Sequence, residues 1–344
     1  MLRGLVLGAL VLLVTAVIGA GLVRDWWERP LAVPADGLIL RVESGDSLSR
    51  LSHRLVQAGV LKHARWLNLM GRFLGADSRI RLGEYRINPG LTPQQLLTLL
   101  QSGDTVRYLV TLPEGITLGY ALTLIQNSEG VAAELTGPDD PQLLAMVAPA
   151  TSTEGYFLPE TYQYERGDSD LKLLAEAHRM MDETLAEVWL QRDPQLPYSN
   201  PYEVLIMASI IEKETGLASE RPAIAGVFVR RLQQGMRLQT DPTVIYGLGD
   251  AFQGNLQRQH LNDQSNAYNS YRHHGLPPGP IALPGKAALL AAVGPEQGDA
   301  LYFVARGDGS HVFSATLDAH ENAVRRFQLK RRANYRSSPE ARQQ

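Results

Sequence analysis

The 344-residue chain contains no cysteine. Thiolate catalysis and cysteine-ligated metal are therefore excluded, and a chain without stray thiols suits an oxidising compartment. It also lacks an excess of one charge. Its 33 basic and 36 acidic side chains leave a formal charge of −3, with the signs mixed, which argues against an electrostatic nucleic-acid binder. Eight histidines are present, His260, His273 and His274 among them. None stands in an HExxH pattern or at ligand spacing from paired carboxylates, so no metal is expected. No glycine-rich phosphate loop occurs, and a pyridoxal-phosphate lyase built on Lys213 would lack its phosphate cradle. No cofactor is expected.

Long apolar runs are equally scarce. Leu5 to Val23 is broken only by Thr15 and small glycines. Its roughly 19 residues suffice to cross a hydrocarbon core of about 30 Å. Arg24, Asp25, Trp26 and Trp27 follow, and paired tryptophans fit a membrane interface. A cleaved signal peptide is the alternative, but its apolar region should be about 7–15 residues with a small-residue cleavage site. A retained anchor, with the bulk of the chain outside the cytoplasm, is the expectation.

Residues 28–37 carry Pro30, Pro34 and Gly37 and read as a linker. A strand over 38–43, a helix that Asp46 can cap, a second helix over roughly 63–74 and a strand over 83–87 give a β-α-α-β order. On the second helix Trp66, Leu67, Met70 and Phe73 are expected to face inward. Thr92-Pro93 with Gln95 predicts a capping box and a helix ending at Gly103. A strand over 106–112 and a helix over 117–126 follow, with an exposed loop or boundary around 137–141. Residues 153–164 are dense in aromatics and hold Glu154 and Glu160. They predict either an ordered loop packing Tyr156, Phe157 and Tyr162 on the core, or one wall of a sugar cleft. A long amphipathic helix spans about 170–190.

The most informative stretch is NPYEVLIMASIIEKETG, residues 200–216. Asn200 caps, Pro201 takes the first helical position, and Glu203 completes a capping box. The helix should end at Gly216 acting as a C′ glycine. Apolar residues from Val204 to Ile211 wrap most of its circumference, so it belongs in a core. Glu212 and Glu214 appear where that shell stops. At 100° per residue they lie about 200° apart, so only one can enter a given cleft, and periodicity does not choose between them. Apolar surroundings and the negative end of the helix dipole both favour a protonated carboxyl there, the kind of acid that protonates a leaving oxygen. Surface pairing with Lys213, Arg221 or Arg230 is the bland alternative. A second helix over 223–232 ends at Gly235, and the LQTDPT that follows reads as a tight polar turn.

The β-α-α-β unit, with GDSLSRLSHRL at its first turn, resembles the LysM module that binds N-acetylglucosamine glycans. The runs ASIIEKETG, RPAIAGVFVRRLQQGMRLQTDPTVIYG, AYNSY and GLPPGPIALPG, with EGYFLPETY and LYFVARGDGSHVFSATLDAH, resemble the YceG-like (MltG) family of membrane-anchored endolytic murein transglycosylases. The resemblance runs from about residue 38 to 330. It implies an α+β protein: a transmembrane helix within residues 1–27, the linker 28–37 and a LysM-like subdomain at 38–105. A connecting α/β segment at 106–150, a mostly helical lysozyme-like catalytic domain with β additions at 151–332 and a polar tail at 333–344 complete it. The implied location is the inner membrane, with the catalytic region on the periplasmic side and peptidoglycan synthases nearby. The implied reaction is non-hydrolytic cleavage between N-acetylmuramic acid and N-acetylglucosamine in peptidoglycan strands, leaving a 1,6-anhydro end.

Soluble lytic transglycosylases carry the catalytic glutamate directly before a serine. That likeness selects Glu214, followed here by Thr215, over Glu212. Leu238-Gln239 with Pro242-Thr243, and Ala267-Tyr268-Asn269, are similar to further segments of that group. They imply Thr215, Gln239, Tyr268 and Asn269 as substrate-binding, with Glu212, Thr240 and Tyr246 in alternative or supporting positions. Two other functions stay open: a hydrolase recruiting Glu154, Glu160 or Asp241 as second carboxylate, and a non-catalytic, membrane-tethered glycan-binding scaffold.

Overall fold

A computed structural model of the chain describes residues 2–329; the expected polar tail lies outside the described residues. Mixed helices and strands divide into two compact units, residues 1–108 with 164–167, and residues 109–163 with 168–344.

The first unit opens with helix α1 (Leu2–Glu28), in which Leu10–Glu28 is long and apolar enough to cross a membrane. Strand β1 (Leu38–Val42), helices α2 (Leu48–Gln57) and α3 (Ala64–Phe73), strand β2 (Gly83–Ile87) and helix α4 (Pro93–Ser102) follow. β1 and β2 pair antiparallel with Leu40 opposite Tyr85, so both side chains enter the core. Thr92 and Gln95 form the expected capping box, and Gly103 closes α4 in the left-handed conformation at φ 77°. Ser47, not Asp46, caps α2. Asp46 instead accepts the Glu43 N–H and holds Arg50 and Arg54. Phe73 does not face inward but is 83% exposed. Gly71 is the cause: a Cβ there would lie 2.0 Å from Leu48 Cδ2. The close approach turns the Ala64–Leu67–Gly71 stripe toward α2, leaves Trp66 and Met70 at its edge and carries Phe73 out to solvent.

The chain passes from one unit to the other along β3 (Arg107–Thr111), which pairs with β4 (Thr161–Glu165). The second unit holds α5 (Leu118–Gln126), the short α6 (Pro141–Met146), α7 (Asp170–Gln191), α8 (Pro201–Glu214), α9 (Arg221–Gln233), α10 (Asp241–Leu248) and the short α11 (Arg258–Asn262). Helix α12 (Lys286–Val293), the hairpin β5 (Tyr302–Ala305) with β6 (His311–Ser314), and α13 (Leu317–Val324) complete it. α8 is its axis. Every residue from Val204 to Ile211 is buried, covered by α7, α9, α10 and α12. Truncating one of these side chains, as in Ile210→Ala, should cost about 2–5 kcal/mol.

The cap of α8 is half the expected box. Asn200 accepts the Glu203 N–H, but the Glu203 carboxylate reaches one residue further back, to the Ser199 N–H. Its C-terminus also differs. Thr215 leaves the helix extended (φ −144°, ψ 133°), and Gly216 is not left-handed, so no C′ glycine terminates it. LQTDPT is not a simple turn either: α10 begins at Asp241, with Thr240 as N-cap and Pro242 in its first turn.

Candidate active site

The two glutamates that end α8 meet opposite surroundings. Glu212 is enclosed, its side chain 4% exposed. One oxygen accepts from Arg221 Nη2 at 2.6 Å and the other from the Gly285 N–H at 3.0 Å. The same guanidinium nitrogen donates to Glu114 at 3.0 Å. Burial raises the Glu212 pKa, and the Gly285 N–H and Arg221 oppose the rise. Both oxygens are occupied by a clamp that ties the end of α8 to the start of α9 and the N-cap of α12.

Glu214 is different. Its carboxylate accepts a hydrogen bond from the Thr240 hydroxyl, the partner found for it among the described residues. Burial pushes its pKa up to about 7, and the neighbouring Asp241 carboxylate pushes the same way, while Thr240 and the Arg231 guanidinium pull down. A carboxyl in this state exchanges its proton near neutral pH.

The segment facing Glu214 is strained to do so. Gln239 sits at φ 51°, the sole non-glycine residue at positive φ among the described residues, a conformation that costs on the order of 1–2 kcal/mol. Its N–H donates to the Ser270 carbonyl at 3.1 Å and its side chain stays exposed. Thr240 caps α10 only in position, because its hydroxyl is turned to Glu214 and makes no cap bond. Ser270 supports the turn: its hydroxyl takes the Thr240 N–H at 2.9 Å and lies 2.8 Å from the Thr243 hydroxyl. Tyr271 donates to Asp241 at 2.7 Å. Buried Arg231 donates to the carbonyls of Leu238 and Leu301 at 2.7 Å each, holding the irregular segment that leads into Gln239.

A row of rings extends from α10. Tyr246 and Tyr268 meet edge to face at 4.9 Å, and Tyr156 stacks on Tyr202 at 5.7 Å. The pairs are joined at Gly279, where a Cβ would lie 3.0 Å from the Tyr202 hydroxyl and 3.1 Å from that of Tyr268. Tyr246 donates to Glu154 at 3.4 Å. Glu154 is also pushed up to about 7, by burial, against the Leu118 and Gly155 N–H groups that favour its charge. Phe157 and Tyr162 are buried and Tyr156 packs, partly buried, against the core of the second unit, as expected for an ordered packing loop.

A model of the YceG-like family matches residues 40–326. The chain belongs to the YceG-like family. It is 30% identical over 306 residues to an endolytic murein transglycosylase of Bacillus subtilis, covering 84% of each chain. It is 26% identical over 316 residues to one of Streptococcus pneumoniae D39, covering 82% of this chain and 57% of that one. A crystal structure of a YceG-like protein from Listeria monocytogenes superposes with a TM-score of 0.54 at 28% identity, covering 84% of this chain and 99% of the other.

In this YceG-like chain Glu214 and Thr240 are brought together, with Gln239 the chain neighbour of Thr240, and Tyr246 pairs with Tyr268. The Thr215 hydroxyl accepts the Leu217 N–H at 3.0 Å. Asn269 is fully buried and faces the other way: its amide donates to the carbonyls of His260 and Asp263, and its oxygen accepts the Tyr271 N–H. It fixes the loop that carries Tyr268, Ser270 and Tyr271. Ser270, Tyr271 and Arg231 were not expected. The first two stand in the same AYNSY run, and the arginine pair inside the apolar VFVRRL was a signal for the third.

Proposed function

We propose that this chain is a membrane-anchored endolytic lytic transglycosylase that cuts peptidoglycan glycan strands and so limits their length. One observation carries the reading: of two glutamates ending one core helix, Glu212 is closed off by Arg221 and Gly285, while Glu214 keeps a raised pKa and a single hydroxyl partner. The names of the curated relatives support the reaction class.

In the first step neutral Glu214 gives its proton to the glycosidic oxygen as the bond from muramoyl C1 to that oxygen breaks. In the second, the resulting carboxylate takes the proton of the muramoyl 6-hydroxyl, whose oxygen bonds to C1. A 1,6-anhydro end forms, no water is consumed, and Glu214 is protonated again. One carboxylate suffices, where ordinary glycosidases need two. Thr240 orients the acid; Thr215, the exposed amide of Gln239 and Tyr268 take substrate hydroxyls and acetamides, with Tyr246 behind. Asn269 acts by holding the loop. The ring row offers faces to sugar C–H groups. The β-α-α-β unit has the order of a LysM module, which supports a glycan-holding role, and α1 supports a single-pass anchor, with the β-α-α-β unit and the second unit on the periplasmic side.

The test is digestion of purified glycan strands by the full-length protein with mass spectrometry of the products. Fragments one water lighter than hydrolysis products are expected, and Glu214→Gln should lower their rate by about 10³-fold. Fragments of full hydrolysis mass would sink the transglycosylase reading. Glycan binding without any release would favour a scaffold.

A further inference from the structure

The C-terminal end of α1 is fastened to the first unit. Trp26 and Trp27 pack on its core, and the Leu31 N–H donates to the Leu91 carbonyl at 2.8 Å. Between the last turns of α1 and this unit lies a cavity of about 380 Å³. Gly19, Leu22, Val23 and Trp26 form the helix wall; Leu61 and Trp66 stand opposite. Arg29, Lys62 and His63 also line it, and no carboxylate does. An adjoining depression shares Lys62 and His63 and adds His53 and Arg65, again without a carboxylate. Arg29 is paired with Asp25 at 2.6 Å, but Lys62 and Arg65 have no ion pair among the described residues.

The order of these groups along α1 is informative. From Gly19 to Trp26 the helix rises about 10 Å. One cavity therefore runs from side chains at hydrocarbon depth to cations just beyond the interfacial tryptophans. An amphiphile with an apolar chain and a phosphate head has the same order. A free anion would leave the apolar half unused, and a neutral lipid would leave the cations unmatched.

We infer that the junction of α1 with the β-α-α-β unit is a binding site for one anionic phospholipid, acyl chain beside Gly19–Val23 and phosphate among Lys62, His63 and Arg65. The inference rests on reading α1 as a retained membrane anchor. The site holds the folded unit against the bilayer surface. Gly19 keeps its wall open: no heavy atom lies within 4 Å of the place a Cβ would take. Gly19→Leu would thus extend into the apolar half from an unobstructed Cβ.

The test uses the full-length protein in detergent micelles with equal amounts of phosphatidylglycerol and phosphatidylcholine of identical chains, and native mass spectrometry to count retained lipid. One phosphatidylglycerol should be retained, with about a tenfold preference over phosphatidylcholine. Lys62→Glu with Arg65→Glu should bring the preference close to one, and Gly19→Leu should reduce retention of both lipids. Equal retention by the unaltered protein, or a preference unchanged by charge reversal, overturns the site. Intact mass and carbonate extraction of the membrane-derived protein report the anchor separately. A cleaved N-terminus removes the anchor reading, whereas an intact, embedded chain without lipid preference removes only the lipid site.

Discussion

Glu212 and Glu214 are two residues apart on one helix, yet their substitution should have opposite consequences. Glu212→Gln leaves Arg221 buried with half its counter-charge, and we expect a loss of about 2–4 kcal/mol in denaturant unfolding. Glu214→Gln should remove activity but stabilise the fold at alkaline pH. The sign follows from the raised pKa. A carboxyl at about 7 when folded, against its ordinary value when unfolded, contributes stability below that ordinary value and loses it as pH rises through 7. At about pH 8 the ionised, buried carboxylate costs on the order of 1–3 kcal/mol, which glutamine avoids. Urea midpoints should therefore favour Glu214→Gln at about pH 8 and converge with the unaltered protein at about pH 5. Equal midpoints at both would refute the buried-acid assignment. The choice between these glutamates could not be read from helical spacing. The groups that close off Glu212 come from 9 and 73 residues away, and Glu114 from 107 residues before Arg221. The resemblance to other transglycosylases named Glu214; its surroundings support that reading.

At the scale of elements, α8 was legible because it is local. Asn200, Pro201 and an unbroken apolar run announce a capped core helix whatever packs on it. The same holds for the Thr92 capping box and for α7. α10 was missed although Thr240, Asp241 and Pro242 are ordinary helix-start residues, because its signature is only eight residues long and follows a strained one. Its N-cap is diverted: the hydroxyl that would bond the first turn bonds Glu214 instead. That donor lowers the Glu214 pKa, so its loss must raise it. Thr240→Val should shift the alkaline limb of the rate profile upward by about half a unit to one unit and slow turnover about tenfold, and Thr240→Ser should restore both. An unshifted limb would mean the hydroxyl does not hold the acid. Gln239→Gly tests the strain. Relief of the positive φ should add about 0.5–1 kcal/mol of stability, net of the greater freedom of unfolded glycine. Activity should fall at least about tenfold if the side chain holds substrate, the trade expected where strain sits at a functional turn.

Across the whole molecule the carboxyls whose pKa is raised, Glu154, Glu212 and Glu214, all lie in the second unit, beside lowered ones such as Asp140 that matter only in acid. In the first, the Glu43 N–H leads the contacts that hold Asp46 low; burial works to raise Glu84, but Tyr108, Arg41 and Arg166 outweigh it. Lowered groups contribute stability above their ordinary values and lose it only in acid. In the second unit burial pushes Glu154 and Glu214 up to about 7 and raises Glu212. These contribute most in acid, and their share fades as pH climbs through neutrality. His320, lowered by its own burial, acts in the opposite sense, since its neutral form is favoured and stability falls as it is made to protonate. One histidine against three carboxyls should not reverse the balance. Between about pH 5.5 and about pH 8 the second unit should therefore lose stability while the first holds constant. Urea unfolding of the full chain, sampled by pulse proteolysis and peptide mapping at both pH values, separates the units. The midpoint for peptides of residues 170–290 should fall at the higher pH, that for residues 38–102 should not move, and Glu154→Gln should remove part of the fall without touching Glu214. A midpoint that moves equally in both units would show that the pH response is not carried by these carboxyls. The same titration bears on catalysis: with Glu214 proposed as the acid, the alkaline limit of activity and the Glu214 share of the second unit's loss of stability should follow one titration.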